Sequence, residues 1–291
     1  MIDRRMVMVG GVAVSLIGVA AAAPPPAQGG MLRLGDGRQV PVRRWQPPGK
    51  PRGFIPFSHG ANSSGAKYDR LCGALAAAGF CVCAPTHADS PDHPGGGKIP
   101  REQGIPLRLA DMRGLIAEGV AAGLPVIAAG HSYGALIAQM LGGAGGAPEA
   151  AVEAVIAWSP PGPLTPAIIA GLSGPLPPAF TADLWKTMAR PMFVETGTAD
   201  MLPIMAPTWD VHRVSHDVAP GPGVLFVGEG VDHYFGNIIC RPERTEPPQE
   251  AQFADALAVT LAFANAVLAG KPLAPLARSK QPGKSWVEVR A

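Results

Sequence analysis

The chain has 291 residues, a formal net charge of +2 and 47% hydrophobic residues. That size suits one large α/β domain or at most two small ones, and the near-balanced charge excludes a basic field of the kind that holds nucleic acid. Its 37 glycines and 33 prolines are scattered between apolar segments, which points to many tight turns rather than a disordered chain.

The N-terminus reads as a targeting segment. Arg4 and Arg5 precede an apolar run, Met6 to Ala23, that ends in small residues. A basic start, an apolar stretch and an alanine-rich cleavage site mark an export signal. The arginine pair and the glycines at Gly10, Gly11 and Gly18 resemble a twin-arginine signal, although Asp3 stands before the pair. An uncleaved anchor is the competing reading, because the run nearly reaches spanning length. Residues 1–23 are thus expected as signal, 24–30 as a Pro/Gly/Ala linker, 31–270 as the domain and 271–291 as a polar tail. The mature protein is expected to be periplasmic or extracellular, with no stable membrane insertion. No other segment reads as apolar and long enough to span a bilayer.

Two short alternating stretches flank Gly35-Asp36-Gly37 between Met31 and Trp45, the pattern of a hairpin. Phe54 to Phe57 is a short apolar strand that stops at His59-Gly60, and Lys67 to Ala78 is a helix closed by Gly79. Phe80 to Ala84 is a second buried strand. Thr86 to Pro106 is a long polar loop, and Leu107 to Ala122 a helix. The strands Pro125–Ala129, Ala154–Trp158, Met192–Thr196 and Val224–Val227 follow, with a helix at Tyr133 to Leu141 between the first two. Phe253, Leu257, Leu261, Ala264 and Leu268 mark one face of a long helix, Gln249 to Leu268. Short continuous apolar strands alternating with helices imply a mostly parallel sheet covered on both faces. Cys72, Cys81, Cys83 and Cys240 are either buried thiols or include one bridge from Cys72 or Cys240. The Cys81 and Cys83 side chains share a strand face and cannot easily bridge each other, and the spacing lacks the partners of a zinc site.

Gly130-His131-Ser132-Tyr133-Gly134 fits G-x-S-x-G with an apolar strand before it and an Ala/Leu/Ile helix after it. That context makes Ser132 the expected nucleophile on a strained strand-to-helix turn. A tetrahedral intermediate needs two N–H donors. Tyr133 supplies one, and Ala61, in the loop after Phe57, the other, with Asn62 as fallback. Triad order places the acid and then the base after the serine. Asp200 directly follows the strand ending at Thr196 and is the expected acid, with Asp183, Asp210 and Glu195 as weaker rivals. His233 lies in the loop after the last strand and is the expected base; His212 and His216, in a surface helix or loop between two strands, read as solvated or hydrogen-bonded structural residues. His131 is expected to be structural.

These segments, Phe57-Ser58-His59-Gly60, Ala78 to Pro85, Gly130 to Gly134, Gly197 to Asp200 and Asp232 to Gly236, resemble bacterial α/β-hydrolases. The nearest groups are the dienelactone-hydrolase-like and platelet-activating-factor-acetylhydrolase-like proteins. The resemblance implies an α/β-hydrolase fold with an N-terminal antiparallel hairpin and at most a small cap. It also implies a Ser132, Asp200 and His233 triad working without metal or cofactor. True dienelactone hydrolases carry a cysteine where this chain has Ser132. The expected activity is hydrolysis of a small-molecule or polymeric ester. A peptidase, amidase or acyltransferase on the same triad, or a silent binding protein of this fold, are the alternatives. Asn62, Trp158 and Trp185 are expected to line the substrate pocket. Oligomeric state is not read from the sequence.

Overall fold

The computed structural model describes residues 25–170, 179–278 and 285–290. In chain order it contains β1 (Gln28–Arg33), β2 (Gln39–Trp45), β3 (Gly53–Ser58), α1 (Asp69–Ala77), β4 (Phe80–Pro85) and α2 (Gly104–Ala121). There follow β5 (Val126–His131), α3 (Tyr133–Leu141), β6 (Val152–Trp158), α4 (Pro166–Ala170), β7 (Met192–Gly197), α5 (Val214–Val218), β8 (Gly223–Gly228), α6 (Glu250–Leu268) and β9 (Trp286–Arg290). The strands form one sheet in the order β1-β2-β4-β3-β5-β6-β7-β8-β9.

Every residue of β3, β4, β5, β7 and β8 is buried. This is why their sequences are continuous apolar runs rather than alternations: both faces are covered. Phe253, Val259 and Phe263 of α6 join Leu71 and Leu75 of α1 on one face. Met112 and Leu115 of α2 and Leu136 and Ile137 of α3 cover the other. At one edge, β1 and β2 form the expected hairpin, with Gly37 at φ +86° in its turn. The interior strands β4, β3, β5, β6, β7 and β8 run parallel, so their C-terminal ends share one rim, where open α/β sheets bind ligands.

Three sequence expectations change. The 271–291 tail is not all tail: Trp286–Arg290 pairs antiparallel with β8 as an edge strand. Its polar and apolar residues alternate, as a half-covered strand requires, but only from Val287 to Arg290, too short a run to stand out. The 24–30 linker is likewise shortened, because β1 begins at Gln28 and gains its order from the main-chain ladder to β2. By length and composition α6 does qualify as long and apolar enough to cross a membrane; here its apolar face packs on the sheet. The expected signal, 1–23, lies outside the described residues. All four cysteines are buried free thiols.

α3 approaches β3 so closely that a Cβ on Gly134 would overlap the carbonyl oxygen of Ser58 and crowd that of His59. Gly134→Ala is expected to destabilise the fold by about 3 kcal/mol, since the obstacle is backbone and has little room to move. A lower urea midpoint at unchanged slope would register this.

Candidate active site

β5 ends at His131, and the chain turns into α3 through Ser132 at φ 54°, ψ −125°. A non-glycine residue pays for positive φ, and here the surroundings enforce it. The Ser132 N–H donates to the Trp158 carbonyl at 2.9 Å, and α3 begins at the next residue. Ser132 and His233 both line a cavity of about 360 Å³ at the strand rim, together with Ala61 and Asn62. Ser132 Oγ makes no hydrogen bond among the described residues; in unliganded sites this contact commonly tightens only when substrate arrives.

His233 sits after β8 in a loop shaped by Asp232, whose Oδ1 accepts the N–H groups of Tyr234 (3.0 Å) and Gly236 (2.8 Å). Its Nδ1 donates to Asp200 Oδ1 at 2.7 Å. Asp200 follows β7 and is fully buried, with the Thr196 hydroxyl donating to its other oxygen at 3.1 Å. Burial opposes its charge, but the neighbouring His233 and His212 outweigh that and hold the carboxyl well below the usual carboxylate range. The rivals stand elsewhere. Asp183 pairs with Lys186 at the surface, and Asp210 is exposed. Burial pushes the Glu195 carboxyl well above its ordinary range, with the charge of Asp200 adding to the effect, so it remains neutral.

A second Ser–His–Asp chain exists in the structure. Ser58 Oγ lies 2.9 Å from His87 Nε2, and His87 Nδ1 lies 2.9 Å from Asp111 Oδ2. All three residues are 0% exposed, so no substrate can reach this serine. It braces the base of the loop after β3 instead.

That loop is tied down carbonyl by carbonyl. Arg108, on α2, donates to His59 O at 2.5 Å and reaches Gly60 O at 3.4 Å, while His59 Nδ1 donates to Gly60 O at 2.7 Å. Arg241 donates to Ala61 O and Asn62 O, each at 3.0 Å. The N–H groups of Ala61 and Tyr133 have no acceptor among the described residues. Both are therefore free to bind an oxyanion. Arg108 also stacks 4.3 Å from the Tyr133 ring centroid, touching both expected donor segments. His131 is structural, as expected. It accepts from Tyr68 OH at 2.8 Å and donates through Nε2 to the His233 carbonyl at 2.9 Å.

Two expected pocket residues are placed differently. Trp158 ends β6 with its ring turned into the core, 5.3 Å from Phe235 and 5.8 Å from Phe253. Trp185 is buried, donating to Gln139 Oε1 at 2.8 Å and packing edge-on against Phe180. Large aromatic side chains gain more from core burial than from lining a cleft. The apolar wall of the cavity comes instead from Leu202, Pro203, Ile204 and Met205, the run directly after Asp200. Composition alone could have flagged that exposed apolar loop. His212 was read as a surface residue; it is buried and its Nε2 lies 3.1 Å from Asp200 Oδ1. Donor atoms of Asp200, His212 and His233 lie within 4.8 Å of one another. The 2.7 Å contact from His233 to Asp200 is a hydrogen bond, and the 3.1 Å contact from His212 is a close approach without hydrogen-bond alignment.

The alpha/beta hydrolase family model matches residues 57–282. The chain belongs to the alpha/beta hydrolase family. A comparison with curated protein sequences found no match. Among solved structures, the chain is similar to a carboxyl esterase from Bacillus coagulans (TM-score 0.62, 15% identity, covering 83% of this chain and 99% of that one). It is similar to Thermogutta terrifontis esterase 2 phosphonylated by cyclosarin (TM-score 0.60, 17% identity, covering 84% and 95%). A puromycin-hydrolysing peptidase from Mycobacterium tuberculosis shares the fold at TM-score 0.61 and 15% identity; 94% of this chain aligns, spanning only 43% of that protein's length. As an alpha/beta hydrolase family member, this chain carries its serine, acid and imidazole at the strand ends that form one rim.

Arg108 pairs with Asp89 at 2.9 Å with both side chains essentially inaccessible. Arg108→Met is expected to cost about 3–5 kcal/mol, because it strands a buried carboxylate. A double variant, Arg108→Met with Asp89→Leu, should recover part of that loss in urea denaturation.

Proposed function

We propose that the protein is a serine hydrolase that cleaves carboxylic esters through an acyl-Ser132 intermediate. The observation that carries this reading is a serine at φ 54° facing the same cavity as an imidazole whose other nitrogen is 2.7 Å from a buried carboxylate. Ser132 Oγ attacks the acyl carbon while His233 takes its proton, and Asp200 orients the imidazole and stabilises its charged form. The N–H groups of Ala61 and Tyr133 receive the charge that develops on the carbonyl oxygen. The leaving alcohol takes the proton from His233. Water then enters, His233 removes its proton, and the acyl group departs as the acid.

The cavity wall from Leu202 to Met205 is apolar and suits a short or medium acyl chain. The esterase names among the structural neighbours support the same reading. With residues 1–23 read as an export signal, the esters it meets lie outside the cytoplasm.

A fluorophosphonate probe is expected to label the wild type and not Ser132→Ala. Equal labelling of the two, or none of either, overturns the proposal. p-Nitrophenyl ester turnover should fall by roughly 10⁶-fold in kcat for Ser132→Ala and by about 10⁴-fold for Asp200→Asn. Faster turnover of a matched p-nitroanilide than of the ester would move the assignment to an amidase.

A further inference from the structure

We propose that His212 is a positioning residue of the triad: its buried imidazole, seated between the Pro160 carbonyl and Asp200, shares the acid with His233 and tunes the field in which that base works. This rests on the serine-hydrolase reading above.

The argument begins with which atoms can carry protons. His212 lies on the turn Trp209–Arg213 and is 1% exposed. Its Nδ1 is 2.7 Å from Pro160 O. A carbonyl only accepts, so Nδ1 carries a proton. Its Nε2 is 3.1 Å from Asp200 Oδ1. Were Nε2 bare, its partial negative charge would stand 3.1 Å from a carboxylate oxygen in a buried site, an unfavourable contact. A proton on Nε2 turns the contact into attraction. The approach is off the ideal hydrogen-bond line, so the attraction is mainly electrostatic. Burial works against the charge on His212, but Asp200 outweighs it and raises the imidazole above its ordinary range.

The surrounding charges leave Asp200 as the partner that decides this. From the loop after β8, the His233 ring stands 5.6 Å away, centroid to centroid. From the end of β6 come Ser159 and Pro160, both uncharged. Arg213, next in sequence, is engaged by Asp217 of α5 and Glu288 of β9. His216 of α5 pairs with Asp217. Glu195, on β7 behind Asp200, is kept neutral by burial.

The consequence has a definite sign. A second positive charge on the same carboxylate offsets part of the field that Asp200 exerts on the site. Its removal is therefore expected to move the acid limb of the rate profile upward. His212 also borders the site directly: it lines a small recess of about 10 Å³ with Ser132 and His233.

His212→Gln removes the charge and keeps a side-chain N–H donor. The acid limb of kcat/KM for a p-nitrophenyl ester is expected to move up by about one pH unit. At a pH below both limbs, that is about a tenfold loss, with a much smaller change on the plateau. A uniform fall in kcat with an unmoved limb would mark a merely structural role and overturn the proposal. A second measurement uses the intact wild type and needs no variant to fold. In imidazole ¹⁵N spectra at pH 7, one buried ring coupled to Asp200 besides His233 is expected to carry protons on both nitrogens. A His212 ring protonated on Nδ1 alone overturns the proposal. Fluorophosphonate labelling keeps the two questions apart: no labelling of Ser132 defeats the hydrolase reading, while the ¹⁵N spectrum still decides the charge of His212.

Discussion

The site depends on one close approach. α3 begins so near the end of β3 that its second residue, Gly134, has no room for a side chain against Ser58. That proximity puts Ser132 at positive φ and sets the first N–H of α3 beside the loop from His59 to Asn62. The position of Ser132 and of the Ala61 and Tyr133 N–H groups beside it is thus fixed by backbone packing rather than by side-chain choice. Gly130 serves the same constraint from the other side, since a Cβ there would overlap the Gly134 carbonyl. Two glycines and one strained serine together form a single geometric solution, and neither glycine can gain a side chain without moving backbone.

A chain of hydrogen bonds extends this constraint to the base. The Gly60 N–H donates to Tyr68 OH at 2.9 Å, Tyr68 OH donates to His131 Nδ1 at 2.8 Å, and His131 Nε2 donates to the His233 carbonyl at 2.9 Å. Each donor has one possible acceptor in this sequence, so the tautomer of His131 follows from the network. Burial and the charge of His233 hold the His131 imidazole well below its ordinary range, so it stays neutral and can both accept and donate. The loop after β3 and the loop after β8 are therefore linked through the core. Segments more than 170 residues apart in sequence reach the same rim already connected.

What was legible in the sequence was what local pattern encodes. Ser132 stood out because a glycine-bounded turn between an apolar strand and a helix has few other uses. Asp200 and His233 followed from chain order and from sitting directly after strands. Burial partners were less legible. Trp158 and Trp185 look like pocket residues in one dimension, because nothing local tells an aromatic facing a cleft from one facing Phe235 or Gln139. His212 failed for the opposite reason. Its neighbours Asp210 and Arg213 are polar, so the segment reads as surface, yet a short turn rotates this one imidazole onto Asp200. β9 was lost because a five-residue run, alternating only from Val287 to Arg290, carries too little periodicity to stand out against a polar tail.

The duplicated Ser–His–Asp pattern shows what separates a catalytic constellation from a structural one. Ser58, His87 and Asp111 reproduce a triad's connectivity with good distances. Arg38 also reaches Asp111 Oδ1 at 2.7 Å, and Arg108 approaches Ser58 Oγ at 3.4 Å. Those guanidinium contacts consume the remaining polar capacity, and burial with the nearby Arg108 charge lowers the proton affinity of His87. An imidazole in that setting is a poor proton acceptor, and its serine faces no cavity. At Ser132 the carboxylate behind the imidazole is buried as well, but there is a cavity in front and two N–H groups beside it with no acceptor among the described residues. The histidine–carboxylate link is common to both; access to a cavity distinguishes them. At the Ser132 site those conditions come from the loop after β3, whose four consecutive carbonyls, His59 to Asn62, are held by Arg108 and Arg241. Because a peptide's N–H points opposite to its C=O, anchoring the Gly60 carbonyl on Arg108 turns the Ala61 N–H away from that arginine. The buried arginine thereby sets the direction of the Ala61 N–H from behind the peptide plane.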